Sequence, residues 1–134
     1  MTITQKEWYS VEQCLANPQN LYIFGDNTIR KGKGGQAQIR DCPNAFGIAT
    51  KFLPSTTNES YFNDSNEVKD IIIDDIVKLL QLEDQYENII FPYDGLGTGL
   101  SEMPTRCPLV FQIMNARLLA LFDFTNPRPK YKYV

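Results

Sequence analysis

Three short apolar runs divide the chain and predict buried strands. They span residues 21–24, 45–49 and 88–91. None shows the strict alternation of a half-exposed strand, and such continuous runs are typical of strands buried on both faces of a sheet. Each run is followed by a glycine-bearing or charged turn. The pattern therefore predicts three neighbouring strands in one sheet.

Helical periodicity appears between and after these runs. Asp64 is expected to cap a helix with Glu67 at the matching position of a capping box. Behind it, apolar residues recur at steps of three and four and form one stripe; they are Val68, Ile71, Ile72, Ile76, Leu79 and Leu80. This segment is the clearest amphipathic helix in the sequence.

Two further helices are predicted near the ends of the chain. A short one follows Ser10, which forms a capping box with Gln13, and its inward residues are expected to be Val11, Cys14 and Leu15. The other runs from near Pro104 to about Phe122 and is apolar nearly all round. Such a helix is either well buried or half of an interface.

Strands alternating with helices predict an α/β fold, a three-layer α/β/α sandwich with a mostly parallel central sheet. At 134 residues the chain forms one domain, 1–134. Residues 2–4 add a short leading strand, and residues 126–134 form an edge strand or a frayed end.

Ligands bind such sheets outside the carboxyl ends of the strands. The segments 25–35, 50–51 and 93–100 all fall there, which predicts a site.

Composition and charge narrow the kind of site. The net charge of −3 argues against binding nucleic acid through a broad basic surface. The absence of histidine excludes imidazole bases and histidine–zinc sites. Three separated cysteines favour a reducing cytoplasm over a disulfide framework or a metal site. No apolar run is long enough for a membrane span, and neither a metal nor a cofactor is expected.

The segment 25–35 combines glycines with cations. If a helix begins at residues 36–40, the backbone N–H groups and the positive end of that helix favour the binding of an anion. The alternative is an ordinary glycine-rich surface loop. The spacing matches neither a Walker loop nor a dinucleotide-binding turn. Asp26 and Asn27 are candidates for an adenine amine or a ribose hydroxyl, and capping of the turn is the alternative for Asp26. Cations expected to rim the anion site are Arg30, Lys31 and Lys33.

The segment 93–100 is the second candidate phosphate loop. Its three glycines in five residues let the backbone approach a pyrophosphate closely, with the Thr98 hydroxyl as a further group. A tight connection to a helix is the alternative. Lys51 directly follows a predicted strand. Three roles are open for it: pairing with a phosphate, acting as a desolvated nucleophile, or lying in solvent. Asp94 is a candidate for activating water or holding a ribose hydroxyl.

Together these motifs resemble those of a macrodomain. The residues that carry the resemblance are GDN-x6-GGQA-x2-R, FGIATK and IIFPYDGLGTGL. They are most similar to the branch of ADP-ribose glycohydrolases and of antitoxins that remove ADP-ribose from DNA. Over nearly the whole chain, the sequence resembles more closely a bacterial and phage family with FGDN, GKGGQA and DGLGTGL motifs.

The resemblance implies an ADP-ribose cleft above the strand ends. Asn27 matches a ribose-side asparagine, and Thr50 with Lys51 matches a threonine–lysine pair whose lysine attacks the anomeric carbon. The matching glycine turn is Gly34 and Gly35, and the matching diphosphate loop comprises Gly95, Gly97, Thr98, Gly99 and Leu100. Replacing Gly97 or Gly99 by valine is expected to block binding without unfolding the protein.

The resemblance leaves two functions open. One is removal of ADP-ribose from a protein or nucleic acid, with Lys51 and Asp94 as catalytic residues. The hydrolases carry an acidic residue inside the last loop, where this chain has Thr98-Gly99, so Asp94 would have to substitute for it. The other is binding without cleavage, which sequesters an ADP-ribose-derived signalling nucleotide. A third hypothesis, an interaction protein, depends on the apolar final helix.

Overall fold

A parallel sheet organises the molecule. The structure is a computed structural model that describes residues 1–126. Its strands are β1 (Thr2–Gln5), β2 (Asn20–Asn27), β3 (Ala45–Lys51) and β4 (Asn88–Pro92), in the order β1-β4-β2-β3. All three strand pairs are parallel. The predicted α/β class is confirmed, and the three apolar runs lie in adjacent strands as predicted.

Helical elements cover both faces of the sheet. One face carries the long helices α2 (Asn66–Leu82) and α4 (Pro108–Phe122), preceded by the short α3 (Met103–Arg106). The other face carries the short helix α1 (Val11–Ala16) and the 3-10 helix Gly35–Ile39. The apolar side chains form two separate buried clusters, one against each face. This is the predicted three-layer arrangement.

Helix α1 begins as predicted, but fewer of its side chains are buried than predicted. The Ser10 hydroxyl accepts from the N–H of Gln13 at 3.0 Å. Of the three residues expected inside, only Cys14 is buried, whereas Val11 and Leu15 are exposed. A six-residue helix has fewer than two turns, so only one of its positions reaches the sheet.

The cap of α2 differs from the prediction. Ser65, not Asp64, accepts from the N–H of Val68, at 3.2 Å. The Asp64 carboxylate instead accepts from the N–H of Val110 at 3.0 Å, in the first turn of α4. Leu80, which was expected in the apolar stripe, is 40% exposed because it lies at the margin of the face that packs on the sheet.

The predicted final helix is interrupted. Cys107 leaves the helical conformation (φ −147°, ψ 65°) and divides α3 from α4. Pro108 explains the break, since a proline disfavours helical geometry in the preceding residue and lacks the N–H that would continue the ladder. Part of α4 is buried, and its exposed apolar side chains are Leu109, Leu119 and Leu121.

The helix expected at residues 36–40 is only the five-residue 3-10 helix. It has little room to extend, because a turn and β3 follow within a few residues. The dipole of a long helix therefore does not act on segment 25–35. The predictions for the tail, residues 126–134, fall almost entirely outside the described residues. Within residues 1–126, none of the helices combines the length and apolar content needed to cross a bilayer.

Candidate functional site

The space above the point where β2 and β4 separate is here called the crevice. Their pairing ends at Tyr22 and Ile90. Beyond this point the Tyr9 hydroxyl lies between the strands, 2.8 Å from the carbonyl oxygen of Ile23 and 3.2 Å from that of Ile90. The chain leaves β2 toward the face of α1, and it leaves β4 toward the face of α4. Such a switch point is where parallel α/β sheets bind ligands.

The loop after β4 borders this crevice and is fixed by its own contacts. Gly95 and Gly97 are left-handed, with φ 85° and 77°. Buried Leu96 anchors the loop, since its N–H donates to the Asn126 side chain at 3.0 Å. The Thr98 hydroxyl donates to the carbonyl of Asp94 at 2.6 Å, so its proton is used within the loop.

The last two glycines of this loop tolerate side chains differently. A Cβ on Gly97 would lie 2.3 Å from the Sδ atom of buried Met103, whereas a Cβ on Gly99 would meet no atom within 4 Å. The expectation that Gly97→Val would leave the fold intact is therefore wrong, because the added side chain collides with the core. No comparable collision is found for the Cβ of Gly99→Val.

The backbone of this loop offers a run of donors. Within residues 1–126, the N–H groups of residues 97–101 donate to no protein acceptor. The carbonyls of Gly97 and Gly99 accept from Met103 and Glu102, both at 3.0 Å. The loop thus uses two of its carbonyls in the following turn, whereas its successive N–H groups remain without a protein acceptor in residues 1–126. Concave runs of backbone N–H groups are suited to anions.

Thr50 connects the strand ends. Its buried hydroxyl donates to the carbonyl of Asp26 at 3.2 Å and lies 2.7 Å from the hydroxyl of Ser101. These bonds bring together the ends of β2 and β3 and the loop after β4. Sequence reasoning singled out Thr50 but missed Ser101, which lies one residue past the predicted loop.

Asp26 and Asn27 bind other parts of the protein. Arg40 holds both oxygens of the buried Asp26 carboxylate, at 2.7 and 2.8 Å. The same carboxylate accepts from the N–H of Asn27 at 2.8 Å. The Asn27 amide donates to the carbonyl of Lys31 at 2.8 Å. Both side chains therefore shape the loop that follows β2.

That loop is open to solvent. Gly34 is exposed with no atom near its missing Cβ, and Gly35 is left-handed (φ 59°) and packs against Trp8. In the described part of the chain, the N–H groups of residues 32–35 have no protein acceptor. Two of the expected rim cations contact acids, since Arg30 binds Asp75 and Lys33 binds Asp41.

Lys51 occupies a partly desolvated position at the end of β3. Its Nζ donates to the carbonyl of Ser55 at 2.7 Å and lies 4.4 Å from the centre of the Tyr61 ring. Arg106 contacts the same ring at 3.6 Å. Burial lowers the pKa of Lys51, and the charge of Arg106 lowers it further against the opposing effect of Glu102. Among the described residues, no carboxylate oxygen lies within 4.0 Å of Nζ.

The remaining predicted site residues lie farther out. Asp94 is exposed, and Leu100 is 85% exposed. The carboxylate whose charge acts on Lys51 is Glu102, which also pairs with Arg106 at 3.0 Å. Sequence reasoning missed both residues, although their spacing of four is a recognised ion-pair signal on helices.

A cavity of about 270 Å³ lies elsewhere, along the outer edge of β3. Its charged lining includes Arg30, Arg40 and Lys78, together with Asp26 and Asp75. Both arginines bind these carboxylates, so most of their charge is neutralised. This cavity is therefore a poorer anion site than the crevice, although it shares Asp26 with the predicted residues.

Comparisons with known proteins identify a family but no activity. No curated protein and no solved structure matches the chain. The model of one family, described as a family of unknown function (DUF7831), matches residues 4–117. Because this match covers most of the 134 residues, the chain belongs to that family.

Proposed function

We propose that the protein binds ADP-ribose or a related nucleotide in the crevice between β2 and β4. The observation that carries this proposal is the run of N–H groups at residues 97–101, which donate to no acceptor within the described residues. A diphosphate supplies the negative charge and the several acceptor oxygens that such a run can satisfy.

The choice of ADP-ribose among diphosphates rests on the sequence resemblance to macrodomains. Two features of the site agree with it. The crevice lies at the switch point of a parallel sheet. In addition, Thr50 joins the strand ends to the diphosphate loop through Ser101, so one ligand can contact all three segments.

Calorimetry with ADP-ribose, ADP and pyrophosphate tests the proposal. Gly99→Val is the informative variant, because a Cβ at this position within the donor run would meet no protein atom within 4 Å. We expect it to weaken ADP-ribose binding by about tenfold or more, which corresponds to about 1.4 kcal/mol. Ala116→Val, at an exposed position of α4, is the control and should bind like the wild type. Equal affinity of Gly99→Val and wild type would place the diphosphate elsewhere.

A second candidate function is cleavage of ADP-ribose from a macromolecule. The specific observation in its favour is the lowered pKa of Lys51, because only an uncharged amine is a nucleophile. The Lys51 nitrogen would form a bond to the anomeric carbon while the bond to the macromolecule breaks. The leaving atom keeps the electron pair and takes the proton that the attacking Lys51 amine loses. Water would then add to the carbon and release the Lys51 amine.

Replacing Lys51 by alanine distinguishes the two functions. If Lys51 is the nucleophile, the change abolishes release of ADP-ribose and leaves ADP-ribose affinity within about tenfold. If Lys51 only binds phosphate, the change weakens binding, and turnover persists at saturating substrate. Wild-type protein should be assayed on ADP-ribosylated DNA, RNA and protein. Failure to release ADP-ribose from all three would eliminate cleavage and leave binding.

A further inference from the structure

Trp8 is an exposed aromatic residue held at the border of the candidate site. It is the only tryptophan in the chain, and 67% of its surface is exposed. The next residue, Tyr9, is fixed from both sides, since its N–H donates to Gln36 at 2.8 Å and its carbonyl accepts from Gln38 at 2.5 Å. Trp8 is thereby attached to the loop that follows β2.

Trp8 precedes the residue that lies at the crevice, and its ring lies against the loop after β2. The hydroxyl of neighbouring Tyr9 lies where β2 and β4 separate. The six-membered ring of Trp8 faces Gly35, where a Cβ would be 3.4 Å from its Cζ3 atom. Gly35 belongs to the segment whose N–H groups at residues 32–35 have no acceptor within the described residues. An aromatic surface and free backbone donors therefore occur side by side.

The ring of Trp8 also has no aromatic or cationic partner in residues 1–126. In contrast, exposed Tyr93 has Lys6 5.0 Å from its ring centre. The ring of Trp8 is therefore available for stacking on another molecule. Beside groups that bind phosphate, the matching flat partner is a nucleobase, because bases stack on aromatic side chains irrespective of their sequence.

We propose that Trp8 stacks on the base of the bound nucleotide and makes the site selective for nucleoside diphosphates over a bare diphosphate. This inference rests on the proposed nucleotide-binding function. In the bound complex, loop 97–101 holds the phosphates and Trp8 covers the base. The lack of a side chain at Gly35 lets the ring lie close to the backbone of the loop.

Trp8 is its own probe, because all tryptophan emission comes from this residue. Emission should be followed during titration with ADP-ribose, ADP, ribose 5-phosphate and pyrophosphate. We expect ADP-ribose and ADP to quench it and the two base-free compounds to leave it nearly unchanged. In calorimetry, Trp8→Ala should lower affinity for ADP-ribose and ADP by about tenfold and leave the affinity for pyrophosphate unchanged.

Two further variants complete the experiment. Trp8→Phe retains an aromatic ring and should restore most of the affinity, and exposed Leu109→Ala on α4 is a control expected to bind like the wild type. Stacking is overturned if Trp8→Ala binds ADP-ribose normally, or if it loses pyrophosphate affinity to the same extent. In the first case nucleotide binding itself still stands. If calorimetry detects binding of neither ADP-ribose nor ADP to the wild type, the proposed function and this inference both fail.

Discussion

Arg30 and Asp75 form an ion pair that ties the loop after β2 to α2. Two bonds of 2.7 and 2.9 Å join them. Asp75 also accepts from the N–H of Ala49 at 2.8 Å, and Arg30 donates to the carbonyl of Gly47 at 3.0 Å. These backbone groups lie on the outer edge of β3, the last strand of the sheet. The pair therefore satisfies groups that an added strand would otherwise use.

Removing the Asp75 carboxylate should destabilise the protein. Asp75→Ala leaves the N–H of Ala49 without its acceptor, which costs about 1–3 kcal/mol. The lost attraction to Arg30 adds little, because the Arg30 side chain is 39% exposed and its charge is screened. Urea denaturation measures the change. Asp74→Ala, at the exposed neighbouring position, is the control and should change stability by less than about 0.5 kcal/mol.

The pKa of Lys51 should respond to its neighbours in opposite directions. NMR titration should give a pKa below the ordinary 10.5. Glu102→Gln should lower it further, and Arg106→Gln should raise it, because the first change removes a negative charge and the second a positive one. A pKa shift in the reverse direction for either variant would contradict the arrangement of Glu102 and Arg106 around Lys51.

The same shift affects stability. Folding lowers the pKa of Lys51, so the unfolded chain holds this proton up to a higher pH than the folded chain. Between the folded pKa and 10.5, the contribution of Lys51 to the free energy of unfolding therefore increases as pH rises. Lys51→Met should reduce this increase when unfolding is measured across the interval.

At the scale of elements, the segment before α2 provides hydrogen-bond acceptors for the first turns of two helices. The Ser65 hydroxyl accepts from Val68 in α2, and the Asp64 carboxylate accepts from Val110 in α4. One chain segment therefore fixes the positions of the two long helices on the same face of the sheet. Asp64 also contributes to its surroundings electrostatically: burial raises the pKa of the Cys107 thiol to about 12, and the Asp64 charge acts in the same direction.

Capping by Asp64 can be tested against the sequence-based prediction. Asp64→Ala removes the acceptor at the start of α4 and should cost about 0.5–2 kcal/mol in urea denaturation. Asp64→Asn retains an acceptor and should lose less. Glu67→Ala should have almost no effect, because Ser65 is the cap of α2. A larger loss for Glu67→Ala than for Asp64→Ala would favour the capping box predicted from the sequence.

At the scale of the whole molecule, one sheet separates two apolar clusters. The larger cluster lies between the sheet and helices α2 and α4, and the smaller one contains Cys14 of α1 and Ile39 of the 3-10 helix. Because both clusters share the strands of one sheet, loss of either should unfold the other. A single cooperative transition is the expected behaviour of a domain of this size.

Leu79→Ala tests this coupling across the sheet. Leu79 is fully buried in the larger cluster, and its truncation should lower stability by about 2–5 kcal/mol. Trp8 lies on the side of the smaller cluster, where its neighbour Tyr9 is buried. Its emission and the far-UV circular dichroism should show the same lowered midpoint. Leu80→Ala, at a 40% exposed position, should have a much smaller effect, and separate midpoints for the two signals would contradict the coupling.

The sequence alone determined the strands, the parallel α/β class and the positions of the glycine loops after strand ends. These features depend on runs of neighbouring residues, because burial of a strand or of a helix stripe appears directly as a local pattern of apolar positions. The leading strand was also predicted, although its place beside β4 was not.

Only the tertiary structure decided which polar groups are available to a ligand. Asp26 is engaged by Arg40, Asp64 caps a helix that begins more than forty residues later, and Glu102 acts on Lys51. Such contacts join residues that are distant in the chain, and no local pattern specifies them. The loop 97–101 N–H groups that lack an acceptor among residues 1–126 were likewise defined by the fold, because the glycines permitted that backbone conformation and the packing of Leu96 and Met103 selected it.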